Sequence, residues 1–120
     1  MTTYGIVGSR HWNDYVKLAA HLAGRGINDV VSGGTLGTDA MAQAWATGGG
    51  IPFTLCPTKR EPGGSFAAAC RRRNQQIVDE SDSLIAFPCQ HSKGTWDTIR
   101  RAKKKGIPVE VIKVDCEGKG

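Results

Sequence analysis

Three segments of this sequence hold residues suited to gripping a phosphate: Gly8-Ser9-Arg10, Ser32-Gly33-Gly34-Thr35-Leu36-Gly37-Thr38-Asp39, and Ser92-Lys93-Gly94-Thr95. Each joins small residues to hydroxyls, and the first and third add a cation. Arg10 offers a bidentate contact to a phosphate, or else is a solvated loop arginine. Lys93 offers an ammonium to the same group, or is solvated. Thr35 and Thr38 bring further hydroxyls. Asp39 suits a ribose hydroxyl, and equally suits the positive end of the helix that follows it. The third segment lacks the Gly-x-x-x-x-Gly-Lys-Ser/Thr spacing of a Walker loop, so no nucleoside triphosphatase is inferred.

A fourth candidate lies between the second and third segments. At about 100° per residue, Phe66, Cys70, Arg73 and Ile77 share one helical stripe. An arginine in an otherwise apolar stripe needs a partner, because an unpaired buried charge is costly. With its neighbour Asn74 it could hold a phosphate or ribose. It could also pair with an internal carboxylate, Asp39 or Asp82. Arg71 and Arg72 are expected at the surface. Trp12 and Trp96 follow the polar turns closely and either stack on a base or pack in the core. Trp45 reads as core or subunit interface. His11 and His91 fall in loops near the candidate site, and neither has a sequence partner that would make it a general base.

These groups must be positioned by something, and the hydropathy pattern says what. Strands are predicted at Tyr4–Val7, Asp29–Val31, Pro52–Cys56, Ser83–Phe87 and Val109–Val114. The first helix has Asn13 or Asp14 as cap, a stripe of Tyr15, Leu18, Ala19 and Leu22, and Gly24 and Gly26 at its end. The second starts near Leu36, carries Ala40, Met41, Ala44 and Trp45, and stops at Gly48-Gly49-Gly50. The third spans Ser65–Asp79 after a loop, Pro57–Gly64, and the fourth spans Gly94–Lys105 after Pro88–Lys93. Strict alternation of strand and helix predicts an α/β fold: a Rossmann-like parallel sheet of about five strands with helices on both faces. All strand-to-helix turns then lie at one sheet edge, where glycines are expected to let backbone approach a ligand and helix N-termini to face it.

The 120 residues suit a single domain, expected over 1–115 with 116–120 as a flexible tail. No apolar run approaches the roughly 20 residues of a membrane span, and the N-terminus lacks the pattern of a secretory signal, so a cytoplasmic protein with no membrane partner is expected. Cys56, Cys70, Cys89 and Cys116 show no metal-ligand spacing and no Cys-x-x-Cys pair, so neither a metal, a cofactor nor a disulfide framework is expected. The net charge of +5 suits an anionic partner, but much of it sits in Arg100, Arg101 and Lys103–Lys105. Those residues end the last helix, where cations offset the helix dipole, and favour a solvated end over a nucleic-acid patch.

The set Gly8-Ser9-Arg10, Ser32-Gly33-Gly34-x-x-Gly37-x-Asp39, Arg73-Asn74 and Gly94-Thr95 resembles the SLOG superfamily, related to the Smf/DprA and LOG proteins. Within it the chain is most similar to the small YspA-like branch of bacteria and their phages, over Gly5 to Val111. The resemblance implies a site for a nucleotide-derived molecule, such as a nucleoside monophosphate, ADP-ribose or a cyclic ADP-ribose-like signal, in a sensor or sequestering protein that forms a dimer or larger homo-oligomer. It also offers an alternative, since LOG proteins are phosphoribohydrolases that cut the N-glycosidic bond of a nucleotide. A second alternative is nucleic-acid binding as in DprA relatives, for which the chain lacks an obvious aromatic platform. LOG proteins carry Pro-Gly-Gly-x-Gly-Thr-x-x-Glu, and here that glutamate position is Thr98, with Asp97 one residue early. Asp97 and Asp39 are therefore the catalytic candidates if the chain is an enzyme, and binding without cleavage is the leading expectation.

Overall fold

Buried residues follow one another along each central strand and so point to both sides of the sheet, which must be covered on both faces. In the computed structural model, which describes residues 2–116, the elements are β1 (Thr3–Gly8), α1 (Tyr15–Leu22), β2 (Asp29–Ser32), α2 (Thr38–Gly48), β3 (Phe53–Leu55), α3 (Phe66–Asp79), β4 (Ser83–Phe87), α4 (Lys93–Lys105) and β5 (Val109–Val111). The strands form one parallel sheet in the order β3-β2-β1-β4-β5. Ile6, Val30, Ile85 and Phe87 pack with Leu18, Leu22, Met41 and Ala46 on the face covered by α1 and α2. Val7, Val31, Leu84 and Ala86 pack with Ile77, Val78, Ile99 and Ala102 on the face covered by α3 and α4. The predicted Rossmann-like fold is the observed one.

Local chemistry sets the helix ends. Asp14 caps α1 by accepting from the Lys17 amide at 3.1 Å, and Ser65 caps α3 by accepting from the Ala68 amide at 3.0 Å. Gly106 ends α4 in the left-handed conformation at φ 89°. The α2 stripe differs from the expected one. Met41, Ala42 and Ala46 are buried, whereas Ala40 and Ala44 face outward, because the helix starts at Thr38 and turns Thr38 and Asp39 inward first. Tyr15, expected on the α1 stripe, is 43% exposed. No helix among the described residues is long and apolar enough to cross a membrane.

The last strand is shorter than predicted, but its hydrogen bonding continues: Ile112 N–H donates to Ala86 O at 2.8 Å and Val114 N–H to Pro88 O at 2.9 Å. This run carries Cys116 forward past the end of β4 to Cys89, and the two form a disulfide with Cα atoms 5.5 Å apart. Two expectations are corrected by this. The widely spaced cysteines do contain a disulfide, because parallel pairing brings residues 27 apart in sequence to one point. Cys116 also belongs to the packed domain rather than to a flexible tail; residues 117–120 lie outside the described set. Closing a loop of this length is worth about 2–4 kcal/mol. Reductant should lower the unfolding free energy by that amount in urea titrations, and Cys116→Ser should reproduce the loss. Coincident curves with and without reductant would count against a stabilising disulfide.

Candidate functional site

The order of the sheet fixes where a cavity can form. From β1 the chain builds outward through β2 and β3, then crosses to the other side of β1 to lay down β4 and β5. The crossovers after β1 and after β4 therefore diverge to opposite faces, leaving a crevice at the carboxyl edge between these strands. A cavity of about 330 Å³ opens there. Val7 to His11 form one wall and His91 to Thr95 the opposite one. The α3 stripe of Phe66, Cys70, Arg73 and Ile77, with Asn74, forms a third side, and Thr35, Asp39, Thr58 and Thr98 complete the lining.

The wall from α4 is suited to an anion. Ser92 is the N-cap, yet its side chain makes no cap bond to the helix; its hydroxyl instead accepts from the Cys89 amide at 3.0 Å. Among the described residues, the amides of Lys93, Gly94 and Thr95 have no acceptor. A helix start leaves such donors free and carries partial positive charge. A Cβ on Gly94 would meet nothing within 4 Å, so a ligand can reach these amides closely. Thr95 is nearly buried, while Lys93 and Arg10 are exposed at opposite rims.

The other glycines do a different job from the one expected. A Cβ at Gly8 would lie 2.5 Å from Thr38 Oγ1, and one at Gly33 would lie 2.6 Å from Arg73 Nη1. Gly37, at φ +73°, would put a Cβ 2.5 Å from Ser9 O. These positions let the β1 and β2 turns close on each other and on Arg73, not on a ligand. The turns are locked by Ser9 O, which accepts from Thr38 N at 3.1 Å and from Thr38 Oγ1 at 3.0 Å. Ser32 is likewise spent internally, donating from Oγ to Ile6 O at 2.6 Å. Of the candidate binding residues, Ser32, Gly33, Gly37 and Thr38 thus stand behind the cavity wall, and exposed Gly34 lies outside the lining, facing Leu55. Gly8, Ser9, Arg10, Asp39, Arg73, Asn74, Ser92, Lys93, Gly94 and Thr95 line it.

Arg73 pairs with neither carboxylate considered for it. Its Nε donates to Asn74 Oδ1 and its Nη1 to Gly33 O, both at 3.0 Å. Asp82 instead accepts from the Thr3 amide at 2.8 Å. Asp39 is 5% exposed and accepts from Thr35 Oγ1 at 2.8 Å and Thr35 N at 3.2 Å. Burial raises its pKa, outweighing the hydrogen bonds from Thr35 and the charge of Arg73. The guanidinium is thus fixed by neutral acceptors, and among the described residues its Nη2 has none.

Asp97 lies outside the cavity lining. Its Oδ2 accepts from Arg101 Nε at 2.8 Å and from Asn74 Nδ2 at 3.0 Å, and Arg100 reaches Oδ1 at 3.4 Å. Partial burial disfavours its charge, but the Arg101 and Asn74 hydrogen bonds and the two arginine charges hold its pKa below the usual value. Such a carboxylate braces α3 against α4. One position on, about 100° around the helix, Thr98 does line the cavity and donates to Gly94 O at 3.1 Å. This inward-facing position therefore holds a neutral hydroxyl and no carboxylate.

The tryptophans go to packing. Trp12 stacks on Phe87 with ring centroids 5.1 Å apart, and Trp45 and Trp96 pack against opposite core faces. The aromatic ring at the cavity is Phe66, 62% exposed. Its place on the Arg73 stripe was the available signal, hidden because an apolar stripe reads as core. Thr58 carried no sequence signal at all. His11 and His91 are exposed on the lining. At the far end of α4, about 20 Å from this site, Lys105 Nζ donates to Val78 O and Asp79 O at 3.1 Å, tying that cation to the end of α3.

No protein-family model matches the chain. The DNA processing protein A (DprA) of Streptococcus pneumoniae, known from an X-ray structure, shares the fold with a TM-score of 0.77 at 17% identity. The match covers 99% of this chain and 53% of that one, so the chain spans about half that structure's length. The Gene 61 protein of Mycobacterium phage D29 is 32% identical over 114 residues, covering 87% of this chain and 90% of that protein. With this identity over nearly the whole of both sequences, the chain belongs to the family of the phage Gene 61 protein.

Proposed function

We propose that the switch-point cavity binds a nucleoside monophosphate or a closely related nucleotide-derived molecule, and that the protein acts as a sensor or sequestering protein of the YspA-like kind. The observation that carries this is the open start of α4, with Gly94 unobstructed and three amides free of acceptors among the described residues. Arg10, Arg73 and Lys93 surround it, against Asp39 as the one carboxylate in the lining, its pKa raised by burial. A phosphate would sit on the helix start, and Phe66 offers its ring to a base. The volume of 330 Å³ is near the lower end of the ~300–1,000 Å³ usual for small-molecule sites, which favours a mononucleotide over ADP-ribose.

Binding without cleavage is favoured because Thr98 carries no carboxylate and both Asp97 oxygens are engaged. A second reading, N-glycosidic hydrolysis, is favoured by one observation: Asp39 is a carboxyl on the cavity lining with a raised pKa, suited to giving a proton to a leaving base. The likeness to a DNA processing protein is one of fold, and single-stranded oligonucleotide belongs in the same assay. Calorimetry with AMP, CMP, NAD, cyclic ADP-ribose isomers and an oligonucleotide, followed by chromatography, separates the three. The expected result is binding of a mononucleotide that is recovered intact and slows alkylation of half-exposed Cys70. Cys56, whose thiol burial pushes up to about 11, stays unreactive throughout. Absence of mononucleotide binding would overturn the proposal. Base release over many turnovers, lost in Asp39→Asn, would install the glycosidase in its place.

A further inference from the structure

The loop after β3 and the outer side of α3 enclose a second concavity of about 220 Å³. Lys59, Arg72 and Arg73 line it, and Glu61 is the one carboxylate among its lining residues. Arg73 belongs to both concavities, and the loop alternates between them: Thr58 lines the first, while Pro57 and Lys59 line the second. Arg73 thus stands between the two. It is held on one side by Asn74 and Gly33, which leaves Nη2 without an acceptor among the described residues. Arg72 Nη2 donates to Lys59 O at 3.1 Å, tying loop to helix and setting two further cations beside Arg73. With Glu61 the one carboxylate against these three cations, the lining is net positive and favours an anion.

We propose that the second concavity is a subsite for a second phosphoryl group, so that the ligand is a nucleotide phosphorylated at two separate positions, of the nucleoside 3′,5′-bisphosphate class. This rests on the mononucleotide reading of the first cavity and extends it. The two phosphates of a pyrophosphate share a bridging oxygen and would lie together in one concavity, whereas here a side chain divides the two. The small size of the second concavity suits one group rather than a continuing strand.

Calorimetry should compare AMP, adenosine 3′,5′-bisphosphate and a 5′-phosphorylated dinucleotide on the wild type and on Lys59→Ala/Arg72→Ala, with a thermal melt to check folding. Both replaced residues lie outside the first cavity. The bisphosphate should bind about 10-fold or more tightly than AMP, as one or two charge-assisted contacts provide. The double variant should abolish that advantage while AMP affinity stays unchanged. Equal wild-type affinities, or an advantage that survives in the folded double variant, would overturn the subsite with the first cavity's reading intact. A dinucleotide that outbinds the bisphosphate through Lys59 and Arg72 would overturn the bisphosphate assignment in favour of a strand end. Failure of AMP to bind the wild type would instead count against the reading of the first cavity.

Discussion

Replacing Arg73 with alanine should weaken binding of AMP by roughly 10- to 150-fold while the protein stays folded. A hydrogen bond to a charged group is worth about 1.5–3 kcal/mol, and each 1.4 kcal/mol is about tenfold in affinity. Arg73 reaches the upper part of this range because its geometry is prepared in advance. Two of its donors are already anchored on Asn74 and Gly33, so little side-chain freedom remains to be lost on binding. The fold should survive, since the core on that face is built from Ile77, Val78, Ile99 and Ala102, and Asn74 keeps its bond to Asp97. Arg73→Lys should recover only part of the affinity, because an ammonium cannot keep two anchors and still face the ligand. Calorimetry on folded variants reads all three affinities. An unchanged affinity in Arg73→Ala would remove this residue from the site.

The fold was legible because it depends on periodicity, and periodicity is local. Leu84–Phe87 is a continuous apolar run and, with Ser83 before it, became a strand with the bounds its residues suggest, as a strand covered on both faces must. The stripe through Arg73 was also visible, and the structure turns it to the cavity. What was not legible depends on contacts between segments distant in sequence. Nothing near Gly37 announces that its hydrogen faces Ser9, so glycines that let two turns interlock look the same as glycines that admit a ligand. Cys89 and Cys116 show no motif, and meet only because the chain after β5 runs on beside β4. Phe66 reads as core by composition and stands at the rim because α3 begins beyond the sheet edge. Thr98 and Asp97 differ by one helical position, and only their surroundings decide that the hydroxyl faces the cavity while the carboxylate joins two helices.

Gly37→Val and Gly94→Ala should have opposite consequences, and the pair tests this division of the glycines. At Gly37 a side chain meets two obstacles. The backbone sits at φ +73°, and a Cβ would press on Ser9 O and on the Arg10 carbonyl, atoms of main chain that cannot swing aside. Strain of a non-glycine residue at such angles costs about 1–3 kcal/mol, and overpacking adds about 1–3 kcal/mol. The expected loss of about 2–6 kcal/mol is a large share of the ~5–15 kcal/mol that holds a domain together, and it should appear as a lowered urea midpoint. Gly94 lies in the first turn of α4 with open space beyond its Cα. Alanine there removes glycine's excess conformational freedom, so stability should hold or rise by up to about 1 kcal/mol. The added methyl would nonetheless stand where a phosphate approaches the free amides, and AMP affinity should fall. A destabilised Gly94→Ala would mean that the space beyond α4 is occupied by protein. A stable Gly94→Ala with unchanged AMP affinity would mean that the phosphate sits elsewhere than on the start of α4.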